Sequence, residues 1–336
     1  MAQQHDLIMR DGLDAALAQA SDARERASLK IAADILIQEV ENPCARSHLH
    51  SVLCTIYLPH RRTEPSRPWE KSNGDGATLM IQPLMDRAGG YLGVPYGSTG
   101  RLLIIFLTSQ AYRNNSRRVE LGDSMCAWLR TMGVATSGQG YRAVREQASR
   151  VERSLITVTY DGVKGQERWQ DTIIRGSFNL YPDDAHSFPE FIELSESFYD
   201  SLTRHPAILF DPAIRHLSGK SLALDVYCWL AYRLHALMKS TPISWRALHR
   251  AFGSNYARER DFKANFSEPL NNALNVYPQA KIQLTETGLV LHPSPPPGPP
   301  RSVVYFQGWK SARRPKANSA GSGEDARPAQ GRLQIF

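Results

Sequence analysis

The sequence predicts an α+β chain in which a helix, helix, helix, hairpin unit occurs twice, about 120 residues apart. Three observations predict it. Ser98–Tyr112 (STGRLLIIFLTSQAY) and Ser221–Met238 (SLALDVYCWLAYRLHALM) are apolar on almost every side, the pattern of helices covered by neighbours all round. Each is followed by two helical segments with one apolar stripe, and each unit then ends in two short strand-like runs around a turn.

In the first unit, Glu120–Met132 sets Leu121, Met125, Trp128 and Met132 at i, i+4, i+7 and i+11, and Gly133 stands where a left-handed cap would close the helix. Gly140–Leu155 (GYRAVREQASRVERSL) repeats the spacing with Val144, Ala148, Val151 and Leu155. On a wheel of ~100° per residue, Arg142, Arg145, Arg150 and Arg153 fall opposite, within an arc of about 140°. A helix buried by one face and armed with guanidinium on the other suits a DNA groove, because arginine pairs phosphates and reaches guanine O6 and N7 in bidentate fashion. A solvated helix face is the plainer explanation for one basic helix. Here only Glu146 and Glu152 offset the four arginines, and the preceding segment adds Arg113, Arg117, Arg118 and Arg130, so nucleic acid is the stronger reading. Leu155–Tyr160 alternates as a strand, Asp161-Gly162 marks a turn, and Trp169–Tyr181 is expected to return as the second strand.

The second unit follows the same order. Ser244–Phe252 (SWRALHRAF) is capped by Ser244, buries Trp245, Leu248 and Phe252, and stops at Gly253. Asp261–Val276 carries the stripe Phe262, Phe266, Leu270 and Leu274 with Lys263 outside it. Pro269 inside this segment removes a backbone donor, at ~3 kcal/mol in a helix interior, and predicts a kink or break. Lys281–Leu284, a turn over Thr285–Gly288 and Leu289–His292 make a second hairpin. Both units read as winged helices, the first over 96–185 and the second over 186–297, with Arg246, Arg250 and Lys263 as the second unit's DNA-binding candidates.

Ahead of them, 1–95 reads as a small α+β lead-in: a helix over Asp11–Val40, strands over His50–Leu58 and Thr78–Gln82, and a loop over Pro59–Gly76. Between the units, Tyr181–Phe188 is a loop and Ser195–Arg204 a short helix under a Ser cap. The stretch 298–336 is expected to be a disordered tail, because a polyproline run (PSPPPGPP) passes into Arg, Lys, Ser, Gly and Ala with little apolar content.

A formal charge of +7 over 336 residues points to an anionic partner. No apolar run reaches the ~20 residues of a membrane span, and the N-terminus shows no signal-peptide pattern, so a cytoplasmic protein with no membrane partner is expected. Cys44, Cys54, Cys126 and Cys228 lack CxxC spacing and read as reduced core thiols. Gly219-Lys220-Ser221 ends like a P-loop, but Ile214 occupies the position of the required upstream glycine. His48-Leu49-His50 has the form of the metal pair of nicking enzymes, with no acidic cluster beside it in sequence. No metal, cofactor or catalytic residue is expected.

Several blocks resemble the RepA-type plasmid replication initiators: HSVLCTIYLPHR, TLMIQP, PYGSTGRLLIIFLTSQAYRNNSRRVELGDSMCAWLRTMG, SLALDVYCWLAYRL with TPISWRALHRAFG, and NVYPQAKI with GLVLHPSPP. The resemblance runs roughly from His50 to Pro297. It implies a non-enzymatic initiator that binds repeated double-stranded sites at a plasmid origin, direct repeats above all, and recruits host replication proteins. Carried onto this chain, the DNA-reading role lands on Arg142, Arg145, Arg150 and Arg153. The alternatives are a metal-dependent rolling-circle nickase and a transcriptional repressor, and a monomer–dimer equilibrium is allowed. The C-terminal QGRLQIF resembles the short peptides by which bacterial replication proteins hold the sliding clamp, with Gln330, Leu333, Ile335 and Phe336 as the anchors and the tail as a leash.

Overall fold

A computed structural model describes residues 4–298, apart from 74–75, 87, 122–126, 128, 135–137, 163–164, 179–189 and 205. The tail anchors Gln330, Leu333, Ile335 and Phe336, the loop Tyr181–Phe188 and Cys126 lie outside the described residues. After α1 (Gln4–Asp11), the one helix expected over Asp11–Val40 forms as two, α2 (Leu13–Gln19) and α3 (Ala23–Glu41). Gly12, at φ 83°, turns the chain between α1 and α2. Asp22 caps α3 by accepting from Glu25 N at 2.7 Å, while the Glu25 carboxylate accepts from Ser21 N at 2.7 Å. These helices enclose a small core of their own, Ala16, Ala20 and Leu29 with Leu7, Ile8, Leu13 and Leu17 around it. The far half of α3 joins the main core through Ile35.

The strand expected over His50–Leu58 lies instead at β1 (Arg46–His50), and is followed by a 3-10 turn over Ser51–Cys54. Val52, Cys54, Ile56, Tyr57 and Leu58 are buried as an irregular segment, which an apolar run cannot distinguish from a strand. The polar-looking β1 is held by partners distant in sequence. It pairs antiparallel with β9 (Pro206–Phe210), and its His48 carbonyl accepts from Thr108 Oγ1 at 2.6 Å. Cys54 and Cys228 are buried as expected, but Cys44 is exposed just ahead of this strand.

Next come β2 (Trp69–Ser72), inside the stretch read as a loop, β3 (Ala77–Pro83), α4 (Gly97–Arg113), β4 (Arg118–Glu120), α5 (Gly138–Glu152), β5 (Ser154–Gly162) and β6 (Gly165–Thr172). The hairpin β5–β6 forms as predicted, but Asp161-Gly162 belongs to β5, and the strands end at the pair Gly162 and Gly165. It joins a four-stranded antiparallel sheet in the order β2-β3-β5-β6, with Leu79 opposite Val158 and Ile81 opposite Ile156. This sheet spans residues on both sides of 95. The returning strand expected to reach Tyr181 stops at Thr172, and β7 (Ile174–Phe178) pairs with β8 (Phe191–Leu194), which pairs with β4 on its other side in another sheet. Of the helix expected over Glu120–Met132, Glu120 ends β4, and 122–126 and 128 are outside the described residues. Leu129 and Met132 are buried, and Gly133 sits at φ 74°. Val134 N donates to Leu129 O and Gly133 N to Arg130 O, both at 3.0 Å, the bonding of a Schellman cap.

The second half holds α6 (Glu196–Arg204), α7 (Asp211–Leu217), α8 (Ser221–Ala236), β10 (Thr241–Ser244), α9 (Trp245–Phe252), α10 (Glu259–Asn275), β11 (Ile282–Thr285) and β12 (Gly288–Leu291). Ser244 Oγ accepts from Ala247 N at 3.2 Å, so α9 starts where the cap predicted. The last three strands form one sheet in the order β10-β12-β11. Gly288 closes it at φ 154°, where a Cβ would lie 2.0 Å from the Ile243 carbonyl oxygen, so only glycine fits. Contrary to expectation, α10 runs through Pro269 to Asn275. Burial of Phe262, Phe266, Leu270 and Ala273 along one face offsets the single lost backbone bond.

Helices α4 and α8 lie at the centre, with Leu102–Ser109 buried without a break in the first and Ala223–Ala231 in the second. They meet through a buried ion pair. Arg101 donates to Asp225 at 2.6 and 2.7 Å, and its remaining donors take the carbonyls of Leu58 at 2.6 Å, Pro59 at 3.2 Å and Gly97 at 2.8 Å. His60 stands 3.8 Å from Asp225, and burial pushes its imidazole pKa down, which favours the neutral ring. Removing one partner strands the other's charge in the interior. Asp225→Ala is expected to cost ~3–5 kcal/mol by urea unfolding, and the double variant Arg101→Met/Asp225→Leu to recover part of that loss. A midpoint unchanged in Asp225→Ala would show the pair to be dispensable.

Candidate nucleic-acid interface

Helix α5 is set against the start of α4 by its buried face. Gln147 Oε1 accepts from Tyr96 N at 2.9 Å, and a Cβ at Gly100 would meet that same oxygen at 2.9 Å, so a larger residue there would displace the Gln147 amide. Val144 and Val151 are buried as the stripe predicted. Opposite them, Arg142 is exposed and Arg145 half-buried. Arg153 is 43% exposed and lies 3.6 Å from Asp86.

Arg150 departs from the expected outward set. Only 1% of its side chain is exposed; Nη2 donates to Glu146 at 2.7 Å and Nη1 to the Val94 carbonyl at 3.3 Å. Its guanidinium carbon stands 5.1 Å from the centroid of the Tyr96 ring. The reason is angular. Position 150 lies at one end of the basic arc, beside buried Gln147, where the 93–96 segment closes over it.

Of the other first-unit candidates, Arg113 is exposed at the end of α4, and its Nε donates to Ser109 O at 3.4 Å. Arg117 is tied to Glu193 at 3.1 Å and Glu196 at 3.5 Å. The Arg118 guanidinium lies 3.6 Å over the Phe191 ring. These two brace the β4–β8 pairing, whereas Arg130 stands exposed.

In the second unit, Arg246 and Arg250 are exposed on α9, opposite buried Trp245, Leu248 and Phe252. Lys263, near the start of α10, is exposed, donates to the Glu286 carbonyl at 3.2 Å and lies 5.2 Å over the Trp245 ring. Its stem thus ties the helix to the hairpin turn. The C-terminal half of α10 faces α3 across a cleft of about 510 Å³, bridged by Arg24 and Glu268 at 2.6 Å.

The decoys have structural roles. Lys220 flanks the start of α8 and donates to Asn272 at 2.8 Å, and Ser221 Oγ is 2.9 Å from His60 Nδ1. His48 stacks on Tyr112 at 4.2 Å, and His50 stacks on Phe198 at 5.2 Å with Ser201 Oγ 2.9 Å away. Arg101 and Asp225 were passed over in the sequence, although a charge of opposite sign at the fifth position of each of the two most apolar helices was the visible sign of a pair.

Burial assigns Arg150 to stability. Arg150→Ala is expected to lower the unfolding free energy by about 1–3 kcal/mol, because Glu146 and the Val94 carbonyl lose a charged donor. Arg142→Ala should stay within about 0.5 kcal/mol of the parent, as surface substitutions do. Urea titrations of both variants check this, and equal midpoints would refute it.

No curated protein sequence matches the chain. Two solved structures are loosely alike. The crystal structure of RctB domains 2-3 shows 11% identity over 71% of this chain and 94% of that one, with a TM-score of 0.43. That of selenomethionine derivatives of domain 2 and domain 3 of RctB shows 12% identity over 66% and 82%, also with a TM-score of 0.43. Residues 94–246, from the start of α4's approach to the first turn of α9, match the family of plasmid encoded RepA proteins, the family the sequence blocks resemble.

Proposed function

We propose that this chain initiates plasmid replication by binding repeated double-stranded DNA sites at an origin, without catalysis or a cofactor, and by recruiting host replication proteins. The observation that carries the reading is the match of 94–246 to plasmid encoded RepA proteins, a region that includes the whole of α5 with its outward Arg142 and Arg145. The second half supports two winged-helix units. Helix α8, strand β10, helices α9 and α10, and the β11–β12 hairpin follow the order of a winged helix, and β10 pairs with the hairpin in one sheet. In the first unit α4, β4, α5 and the β5–β6 hairpin come in that order, but β4 pairs with β8 instead of with the hairpin.

Within this reading, Arg142 and Arg145 read base edges, Arg153 adds a phosphate contact at the end of α5, and Arg246, Arg250 and Lys263 form the second contact. Footprinting on DNA flanking the protein's own gene separates an initiator, which protects tandem direct repeats, from a repressor, which protects one palindrome. Arg142→Ala and Arg145→Ala should each lose ~1–3 kcal/mol of discrimination between the protected site and a random duplex. Equal losses on both duplexes would assign them to phosphates alone.

The tail supplies the recruiting element in this proposal. Leu333, Ile335 and Phe336 follow a stretch of little apolar content and resemble the anchors of clamp-binding peptides, and a linker of that composition raises the effective concentration of such an anchor at the origin. Deleting Leu333–Phe336 should leave repeat binding intact and reduce plasmid copy number. Normal replication by the truncated protein, with no binding of a Gln330–Phe336 peptide to purified clamp, would remove the anchor.

A further inference from the structure

Between Tyr57 and Trp69 the chain forms a strap that touches elements of both repeated units. Tyr57 stacks on Phe252, the last residue of α9, with ring centroids 4.9 Å apart. Leu58 and Pro59 give their carbonyls to Arg101, and His60 Nδ1 lies 2.9 Å from Ser221 Oγ at the start of α8. Farther along, Pro65 backs onto Gly93, where a Cβ would stand 3.2 Å from Pro65 Cα and 2.7 Å from Arg150 Nη1, so this end rests beside α5. Trp69 Nε1 donates to the Tyr57 carbonyl at 2.8 Å and closes the strap at its base. The strap therefore leads from α9 to α5, the two helices whose outward faces carry Arg246, Arg250, Arg142 and Arg145.

Arg61, Arg62 and Arg67 are exposed on this strap, with Glu64 as the acid among them. We propose that they form a third contact to duplex DNA, holding phosphates between the segments engaged by the two units. The proposal rests on the reading of the chain as a duplex-binding protein. Its chemistry follows from position. A duplex long enough to meet both α5 and α9 passes over the connection between them, and guanidinium there meets phosphate oxygens whatever the base sequence. Specificity then stays with the two units, while the strap adds affinity that salt removes.

The experiment uses the full chain and two duplexes, one carrying the sites that the parent protein protects on DNA flanking its own gene and one random duplex of equal length. Affinity is measured by fluorescence anisotropy across a salt series. For Arg61→Ala/Arg62→Ala/Arg67→Ala, the slope of log K against log salt should become shallower by about 2–3 on both duplexes, since each lost phosphate contact removes about 0.9, with discrimination unchanged. The triple lysine variant at these positions keeps the charge and should restore the slope. An alanine variant with the parent's slope overturns the strap contact, and so does a lysine variant as weak as the alanine one. If Arg142→Ala/Arg145→Ala still loses binding in the same series, the duplex-binding reading survives that failure. If the parent chain itself binds neither duplex, both fall together.

Discussion

A guanidinium and a carboxylate withdrawn from water are costly unless each finds partners, and the pairing of Arg101 with Asp225 meets that demand with five protein oxygens. The pair fixes more than a contact. Arg101 lies one turn into α4 and Asp225 one turn into α8, so the two central helices are pinned near their starts. Leu58, Pro59 and Gly97 supply the remaining acceptors, and the segment leading out of the N-terminal region is therefore positioned by the same guanidinium. An apolar contact would hold the helices together with little preference for register. Charged hydrogen bonds with short, directed geometry impose one.

The arginines divide by environment, not by sequence position. Arg101 and Arg150 are interior groups with carboxylate and carbonyl partners, Arg117 and Arg118 are bound to neighbours in a small sheet, and Arg142, Arg246 and Arg250 face solvent. A net charge of +7 cannot distinguish these uses. The outward set faces solvent, whereas the inward set organises the scaffold that presents it.

Much of the framework was legible. The period of Val144, Val151 and their neighbours placed α5, the apolar runs placed α4 and α8, and the Ser244 cap placed α9. Local rules succeeded there because local bonding decides those elements. They failed where partners distant in sequence decide. RSHLH forms a strand because Pro206–Phe210 and the hydroxyls of α4 complete it, and β3 joins β5 across a long separation. Pro269 was read as a breaker because its backbone cost is local, while the packing that overrides it is not. For the candidate site, the wheel placed Arg142 on the exposed face, but it could not show that Arg145 is half-buried or what closes over Arg150. The strap's arginines went unweighed because a Pro, Ser and Arg stretch reads as loop until its contacts are known.

The separate core beneath α1 and α2 bears on how the chain breathes. Three buried side chains, Ala16, Ala20 and Leu29, enclose that corner, whereas one continuous core runs through the rest of the fold. A cooperative unit that buries so little opens without waiting for global unfolding, so its amides exchange hydrogen at a lower free energy than those of α4 or α8. The far half of α3 does not open with it, because Asp34 is held by Arg215 and His216 and Glu39 by Gln279. Helices α1 and α2 are thus the corner of the fold expected to open first, ahead of the anchored half of α3.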